Sequence, residues 1–326
     1  MSQKLLITGG AGFIGSVLTA YLLDHGYKVA VLDDLSTGHS KRLDSRASLI
    51  QASILDKPAL VEALVDVKTV IHCAAKSLVE ESVSSLELYH QVNTEGTRVL
   101  LEAMKEVQVT NIIFSSTAAI YGDSKIQPIS ESSEINPVNP YGKSKIEAER
   151  LISTFCSNGF AGITFRYFNV AGSFQSSSSQ LHIEDHKNET HLIPKILKNY
   201  IKNKEKTQVE IYGANWPTRD GSCIRDYLHV VDLAHAHLLA LDALKAGKNQ
   251  VFNLGSGSGY SVFEVINEIE NVVGGKLNQV ISPARSGDPA VLLADIDKAR
   301  KELGWIPKAN LNQIILDSWQ GAKQLG

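Results

Sequence analysis

Tyr141 and Lys145 stand four residues apart in Tyr141-Gly142-Lys143-Ser144-Lys145, directly after Asn139-Pro140. Proline is favoured in the first turn of a helix, so Tyr141 falls in that turn and Lys145 lies one turn further along the same face. An ammonium beside a phenol lowers the phenol pKa from about 10 toward neutrality, which makes the tyrosine a usable proton shuttle. Spacing alone decides little, because Tyr121/Lys125 and Tyr200/Lys204 share it. Context separates them: Tyr121 precedes the turn signal Gly122-Asp123, and Tyr200 ends a helix within the basic stretch 195–206, whereas Tyr141 opens a helix after a proline.

A second constellation lies near the N-terminus, where Thr8-Gly9-Gly10-Ala11-Gly12-Phe13-Ile14-Gly15 follows the apolar run Leu5-Leu6-Ile7. Two glycine frames overlap there, Gly10-x-Gly12-x-x-Gly15 and Gly9-x-x-Gly12-x-x-Gly15. Both imply a strand, Lys4 to Thr8, turning tightly into a helix from about Phe13 to His25, with a pyrophosphate on the helix N-terminus. An ordinary glycine turn would use the same residue type. The next apolar run, Val29-Ala30-Val31-Leu32, ends at Asp33, roughly twenty residues on, where a carboxylate can accept both ribose hydroxyls of an adenosine. A turn-capping aspartate is the alternative. Asp33 with Asp34 would repel a 2′-phosphate, so NAD is expected rather than NADP.

The elements that must position these groups alternate in type. Apolar strand runs recur at Val70–Cys73, Ile112–Phe114 and Ile163–Phe168, with helical spacing over Leu86–Val107 and Tyr141–Phe155. This predicts an α/β fold, a Rossmann-type doubly wound parallel sheet over residues 1–172 with a smaller C-terminal α/β substrate domain over 173–326. Segments within about 224–255 are expected to return to the first domain. Ligands bind off the carboxyl ends of such strands, which singles out Ala74, Ala75, Ser115 to Thr117 and Asn169.

Composition bounds the rest. A chain of 326 residues, 21% charged with net charge -3, is too apolar for disorder and too acidic for a general nucleic-acid binder. No segment is apolar enough to span a membrane, and the glycine-broken N-terminus reads as a strand rather than a signal peptide. Cys73, Cys156 and Cys223 form no C-x-x-C pair, which suits a reducing compartment and a cytoplasmic protein. No metal is expected: His235 and His237 point to different faces of a helix, and His182, His186 and His191 lie around a loop.

The glycine loop with Asp33, "SSTAAIYG" at 115–122, "YGKSK" at 141–145 and "RYFNVAG" at 166–172 resemble the extended short-chain dehydrogenase/reductase family. "HLIP" at 191–194, "DGSCIRDYLHVVDLA" at 220–234, "NLGSG" at 253–257 and "RSGDPA" at 285–290 are similar to its UDP-sugar epimerases, and the likeness covers nearly the whole chain. The resemblance implies NAD contacts from Gly9, Gly12, Phe13, Ile14, Gly15, Asp33 and Asp34. It extends them to Ser53, Ile54, Cys73, Ala74, Ala75, Asn93, Ser115, Tyr141, Lys145 and Phe168. Ser53 stands where the family leads one to expect an aspartate, so Ile54 would carry more of that contact. Lys76 is one place from a lysine some members use, and that role is not carried over.

For the chemistry, the resemblance makes Tyr141 the proton shuttle at a sugar 4′-hydroxyl, Thr117 its hydrogen-bonding neighbour and Lys145 the ligand of the nicotinamide ribose. Related dehydratases need an acid beside the catalytic hydroxyl. Here Thr117-Ala118-Ala119 supplies none, leaving oxidation and reduction at one carbon. UDP would be gripped by Arg225 and Arg285 on the diphosphate, with Asn169, His191 and Leu192 nearby, Tyr212 on uracil and Asp288 on a ribose hydroxyl. Ordinary pairing of Arg225 with Asp226, or Arg285 with Asp288, is the competing reading. The expected reaction is the NAD-dependent interconversion of UDP-galactose and UDP-glucose through a 4-keto sugar that turns over in the pocket. Epimerisation of a UDP-N-acetylhexosamine, UDP-pentose or UDP-uronate is the alternative, with pocket size near Leu292 deciding; a net dehydrogenase and a non-catalytic NAD-sensing module are more distant ones. The helices over about 85–107 and 141–155 resemble those that pair in family homodimers.

Overall fold

The computed structural model describes residues 3–285 and 287–325. The chain runs β1 (Lys4–Thr8), α1 (Phe13–Asp24), β2 (Lys28–Asp33), β3 (Ser48–Gln51), α2 (Lys57–Ala63), β4 (Val67–His72), α3 (Val79–Ser84), α4 (Leu86–Tyr89) and α5 (Gly96–Glu106). Then come β5 (Asn111–Thr117), α6 (Pro140–Ser157), β6 (Ala161–Tyr167), β7 (Asn169–Ala171), β8 (Ser173–Gln175), β9 (Leu181–Ile183), α7 (Leu192–Asn203), β10 (Gln208–Tyr212) and β11 (Ile224–His229). The remainder is α8 (Val230–Ala243), β12 (Lys248–Leu254), β13 (Gly259–Ser261), α9 (Val262–Val273), β14 (Asn278–Ser282), β15 (Val291–Leu292), α10 (Asp297–Leu303) and α11 (Leu311–Leu325).

Successive strand residues point to opposite faces, and the apolar runs fill both. Leu5 and Ile7 join Val29 and Val31 in one core, while Leu6 joins Ala30 and Leu32 in the other. A sheet buried on both faces by helices is the stable use of such runs, and seven strands form one, in the order β12-β6-β5-β4-β1-β2-β3. All its pairings are parallel. The expected doubly wound sheet is therefore present, with its order reversing between β1 and β4. β12 is one of its two edge strands, although it follows the segments that build the smaller part.

Around the far side of the ligand cleft, β11 pairs with β7, β13 and β15, and β10 pairs with β14. Helices α7, α9 and α11 close this part over a third core that includes Ile193, Leu197, Val265, Ile266, Ile314 and Ile315. Among the described residues no helix is long and apolar enough to cross a membrane.

One expected element differs. The helix read as continuous over about 85–107 is α4 and α5 joined by a π-helical turn, His90–Glu95. The wider turn carries Asn93, whose side chain accepts from Lys76 N at 2.8 Å and donates to Lys76 O at 3.0 Å. Such turns re-aim side chains that a regular helix would place elsewhere. Behind β5, Arg166 and Glu149 form a buried ion pair at 2.7 Å, 5% and 6% exposed, and Glu149 also accepts from Ser116 Oγ. Arg166 donates in turn to the Tyr121 hydroxyl, so the end of β5 rests on a satisfied polar network.

Candidate active site

The cleft opens off the carboxyl ends of the central strands and has a volume of about 770 Å³. Gly9, Gly12, Phe13, Ile14 and Gly15 line it after β1, and Cys73, Ala74 and Ala75 after β4. Gly9 has φ +72°, and a Cβ on it would meet Ala74 N at 2.5 Å. A Cβ on Gly15 would collide with the backbone of Gly9 and Gly10. Gly10 instead backs onto Val31. The Gly9-x-x-Gly12-x-x-Gly15 frame therefore faces the cleft and the overlapping frame does not. Helix α1 is preceded by the cap position Gly12, with no side-chain cap and no acidic residue in its first turn, so its positive end is left for an anion.

Asp33 ends β2 and fastens this loop, accepting from Ala11 N at 2.9 Å and Leu35 N at 2.8 Å. Burial pushes its carboxyl up from the usual range, against the pull of those two amides. It lines the cleft beside Asp34, as does Ile54. Ser53 does not line it; its hydroxyl accepts from Leu55 N at 3.2 Å and closes a turn. Asn93, also expected at the cofactor, is buried on the π-helical turn, where its amide bonds the Lys76 backbone and Ser144 Oγ. Lys76 itself lines the cleft.

The expected helix of the catalytic pair is α6. Asn139 caps it by accepting from Gly142 N at 2.8 Å, and Pro140 occupies its first turn. Tyr141, Lys145, Thr117 and Ser115 all line the cleft, and the Thr117 hydroxyl is near enough to Tyr141 to lower its phenol pKa. Lys145 is 3% exposed; its Nζ donates to Ser115 O at 2.9 Å and lies 4.8 Å from the centre of the Phe114 ring. Burial lowers its pKa to about 8, against the opposing pull of Cys73 and Glu149. The expected lowering of the Tyr141 phenol by Lys145 is not met. Burial raises Tyr141, only the Thr117 hydroxyl lowers it, and the ammonium is engaged with Ser115. Behind this group, His237 Nε2 meets the Tyr167 hydroxyl at 2.9 Å, which donates to Ser115 Oγ at 2.8 Å; Ser115 Oγ donates to Cys73 Sγ at 3.1 Å.

Phe168 follows β6 at the sheet, and Asn169, His191, Leu192, Tyr212, Arg225, Arg285, Asp288 and Leu292 line the rest of the same cleft. The simple pairings weighed for the arginines do not form. Asp226 turns inward, accepting from Ser256 N and Ala294 N at 2.6 and 3.1 Å, while Arg225 donates to Pro289 O at 2.8 Å and reaches Asp288 at 3.9 Å. Arg285 lies 3.8 Å over the Tyr212 ring and 3.7 Å from Glu80. One face of Tyr212 is thus covered by a guanidinium. Helix α7 begins at Leu192 with no acidic residue in its first turn. Glu184 and His186 also line the cleft and were not anticipated from the sequence, although Glu-x-His occurs twice within 184–191. His182 is buried against Phe174, apart from them.

Residues 5–255 match the model of the NAD dependent epimerase/dehydratase family. The UDP-glucose 4-epimerase of Corynebacterium glutamicum is 42% identical over 99% of this chain and 97% of its own length. Two solved structures superpose over at least 98% of both chains. One is the UDP-glucose-4-epimerase of Stenotrophomonas maltophila with bound NAD and formylated UDP-arabinopyranose, at TM-score 0.93 and 31% identity. The other is the UDP-glucose 4-epimerase of Bifidobacterium longum in complex with NAD+ and UDP, at TM-score 0.90 and 34% identity.

Lys145 gives the unliganded protein a pH signature. With its pKa lowered from 10.5 to about 8, the folded state binds fewer protons than the unfolded state between those values. Its contribution to stability therefore rises with pH across that window, and its burial is a constant cost below it. Urea unfolding of wild type and Lys145→Met should show the difference between them moving in favour of wild type by on the order of 2 kcal/mol from pH 7.5 to 10. A difference flat with pH would contradict the shift.

Proposed function

The chain belongs to the NAD dependent epimerase/dehydratase family, and from that premise we propose that it interconverts UDP-galactose and UDP-glucose with NAD as a retained cofactor. The observation that carries this reading is the meeting of Tyr141, Thr117 and Lys145 at one cleft whose opposite wall presents Arg225 and Arg285. The chain's own atoms fit the cofactor. The positive-φ turn at Gly9, the free positive end of α1 and the carboxylate of Asp33 suit a pyrophosphate and an adenine ribose. NAD, when bound, supplies a hydride acceptor and donor at the sugar carbon.

Tyr141 takes the proton of the sugar 4′-hydroxyl and returns it, and Thr117 holds the same oxygen. Because burial raises the phenol in the unliganded site, its activation needs positive charge that binding brings: the oxidised nicotinamide, and Lys145 drawn from Ser115 O to the cofactor ribose. No carboxylate stands at 118 or 119 to eliminate water, so the 4-keto sugar has one outcome, reduction. Arg225 and Arg285 read the diphosphate with their fixed donor forks, joined by Asn169, His191 and the N-terminus of α7 at Leu192. Asp288 takes a ribose hydroxyl. Tyr212 stacks on uracil, with Arg285 lying over one face of its ring. Grip at the nucleotide end leaves the sugar free to turn and present either face.

The proposal extends to a cytoplasmic homodimer. Val83 and Leu86, 69% and 61% exposed on α3 and α4, lie on helices packed against α6, which supports pairing through these helices. Light scattering on the purified protein should give twice the chain mass, and Val83→Glu/Leu86→Glu should halve it; a wild-type monomer would end this reading.

Incubated with UDP-galactose and no added NAD, the protein should produce UDP-glucose by anomeric-proton NMR without net absorbance near 340 nm. Tyr141→Phe should lower kcat by about 10²–10⁴-fold while retaining NAD. Near-normal turnover in that variant would remove Tyr141 from the chemistry.

A further inference from the structure

The loop joining β9 to α7 reads Glu184-Asp185-His186-Lys187-Asn188-Glu189-Thr190-His191, and four of its side chains turn toward one point. One ligand-type atom from each of Glu184, His186, Glu189 and His191 lies within 4.8 Å of the others. His191 Nδ1 is 2.7 Å from Glu184 Oε1 and 3.1 Å from Glu189 Oε1, and His186 Nε2 is 3.3 Å from Glu184 Oε1. The two glutamate side chains are only 7% and 6% exposed.

Fixed charges also converge on this loop. Lys198 lies 2.9 Å from Asp185 and 3.6 Å from Glu189, and Arg42 lies 3.3 Å from Asp185. Two fixed positive charges thus face the three carboxylates of Glu184, Asp185 and Glu189. The donor set suits a metal ion: two imidazole nitrogens and two carboxylate oxygens fit zinc far better than calcium or magnesium. Around a tetrahedral zinc at about 2.0–2.2 Å, donors stand about 3.3–3.5 Å apart. The His186–Glu184 spacing of 3.3 Å meets that figure; the His191 contacts of 2.7 and 3.1 Å are hydrogen bonds within the loop that open by a few tenths of an ångström on loading, while the outer limit of 4.8 Å closes.

We propose that Glu184, His186, Glu189 and His191 bind one zinc-class divalent cation at the rim of the cleft. Four protein donors fill a tetrahedral ion, so the site is structural and leaves no open position for chemistry. Its ligands bracket the loop: Glu184 is the residue after β9 and His191 the residue before α7. The ion therefore fixes where α7 begins, and with it Leu192 and Ile193, which line the cleft. The site stands whatever reaction the cleft performs.

The test uses the full-length protein, stripped with a chelator and reloaded with zinc, with metal content read by mass spectrometry and affinity by competition with a chromogenic chelator. One zinc per chain is expected, and cobalt(II) in its place should give the visible bands of a tetrahedral site that zinc then abolishes. His186→Ala and Glu189→Gln should each weaken zinc at least tenfold, while His90→Ala, outside the loop, should bind as wild type. Substoichiometric zinc in the wild type, an octahedral cobalt spectrum, or full affinity in both loop variants would overturn the site.

Discussion

The backbone contact between Gly9 and Ala74 is the constraint on which the site depends. It joins the turn after β1 to the turn after β4 across the point where strand order reverses, and no side chain can be inserted there. Closing that gap creates a continuous backbone wall for a dinucleotide, from the free end of α1 to the segment Cys73–Ala75. Everything placed later in the chain is aimed at this wall. β5 ends in Ser115 and Thr117 beside it, and α6 crosses over with Tyr141 and Lys145.

The far wall comes from residues distant in sequence, and it does a different job. β11 supplies Arg225, the segment before β15 supplies Arg285 and Asp288, and the start of α7 supplies Leu192. Buried polar partners hold these in place: Asp226 ties β11 to the loop after β12, and Pro289 O anchors Arg225. Rigid grip on one side and a lysine and tyrosine poised on the other suit a reaction whose middle part must move. The unliganded electrostatics agree with that order of events, since both Tyr141 and Lys145 are biased toward their neutral forms until charged ligands arrive.

What could be read from the sequence was what local physics dictates. Asn139-Pro140 announces α6 because the cap and the first turn are decided within four residues, and the apolar runs announce the sheet because both of its faces are buried. The two overlapping glycine frames could not be separated, because only the approach of Ala74 and Val31 distinguishes Gly9 from Gly10. Asn93 and Ser53, expected at the cofactor, also satisfy nearby backbone through a π-helical turn and a tight turn that residue type does not reveal. Helical spacing brings Lys145 and Tyr141 to one face, but it does not reveal that the ammonium donates to a carbonyl of β5 in the unliganded site. The Glu-x-His repeat of 184–191 was visible, yet its convergence required the loop's path between β9 and α7.

The central claim is that one bound cofactor takes hydride from C4 of the sugar and gives it back to the same sugar before anything leaves. Its most direct test is a crossover experiment, in which UDP-galactose deuterated at C4 and UDP-galactose uniformly labelled with carbon-13 are converted together and the products weighed. Deuterium retained at C4 of the carbon-12 product alone is the expected result. Deuterium appearing in the carbon-13 product, or lost to solvent, would contradict a closed site that oxidises and reduces a single captive sugar.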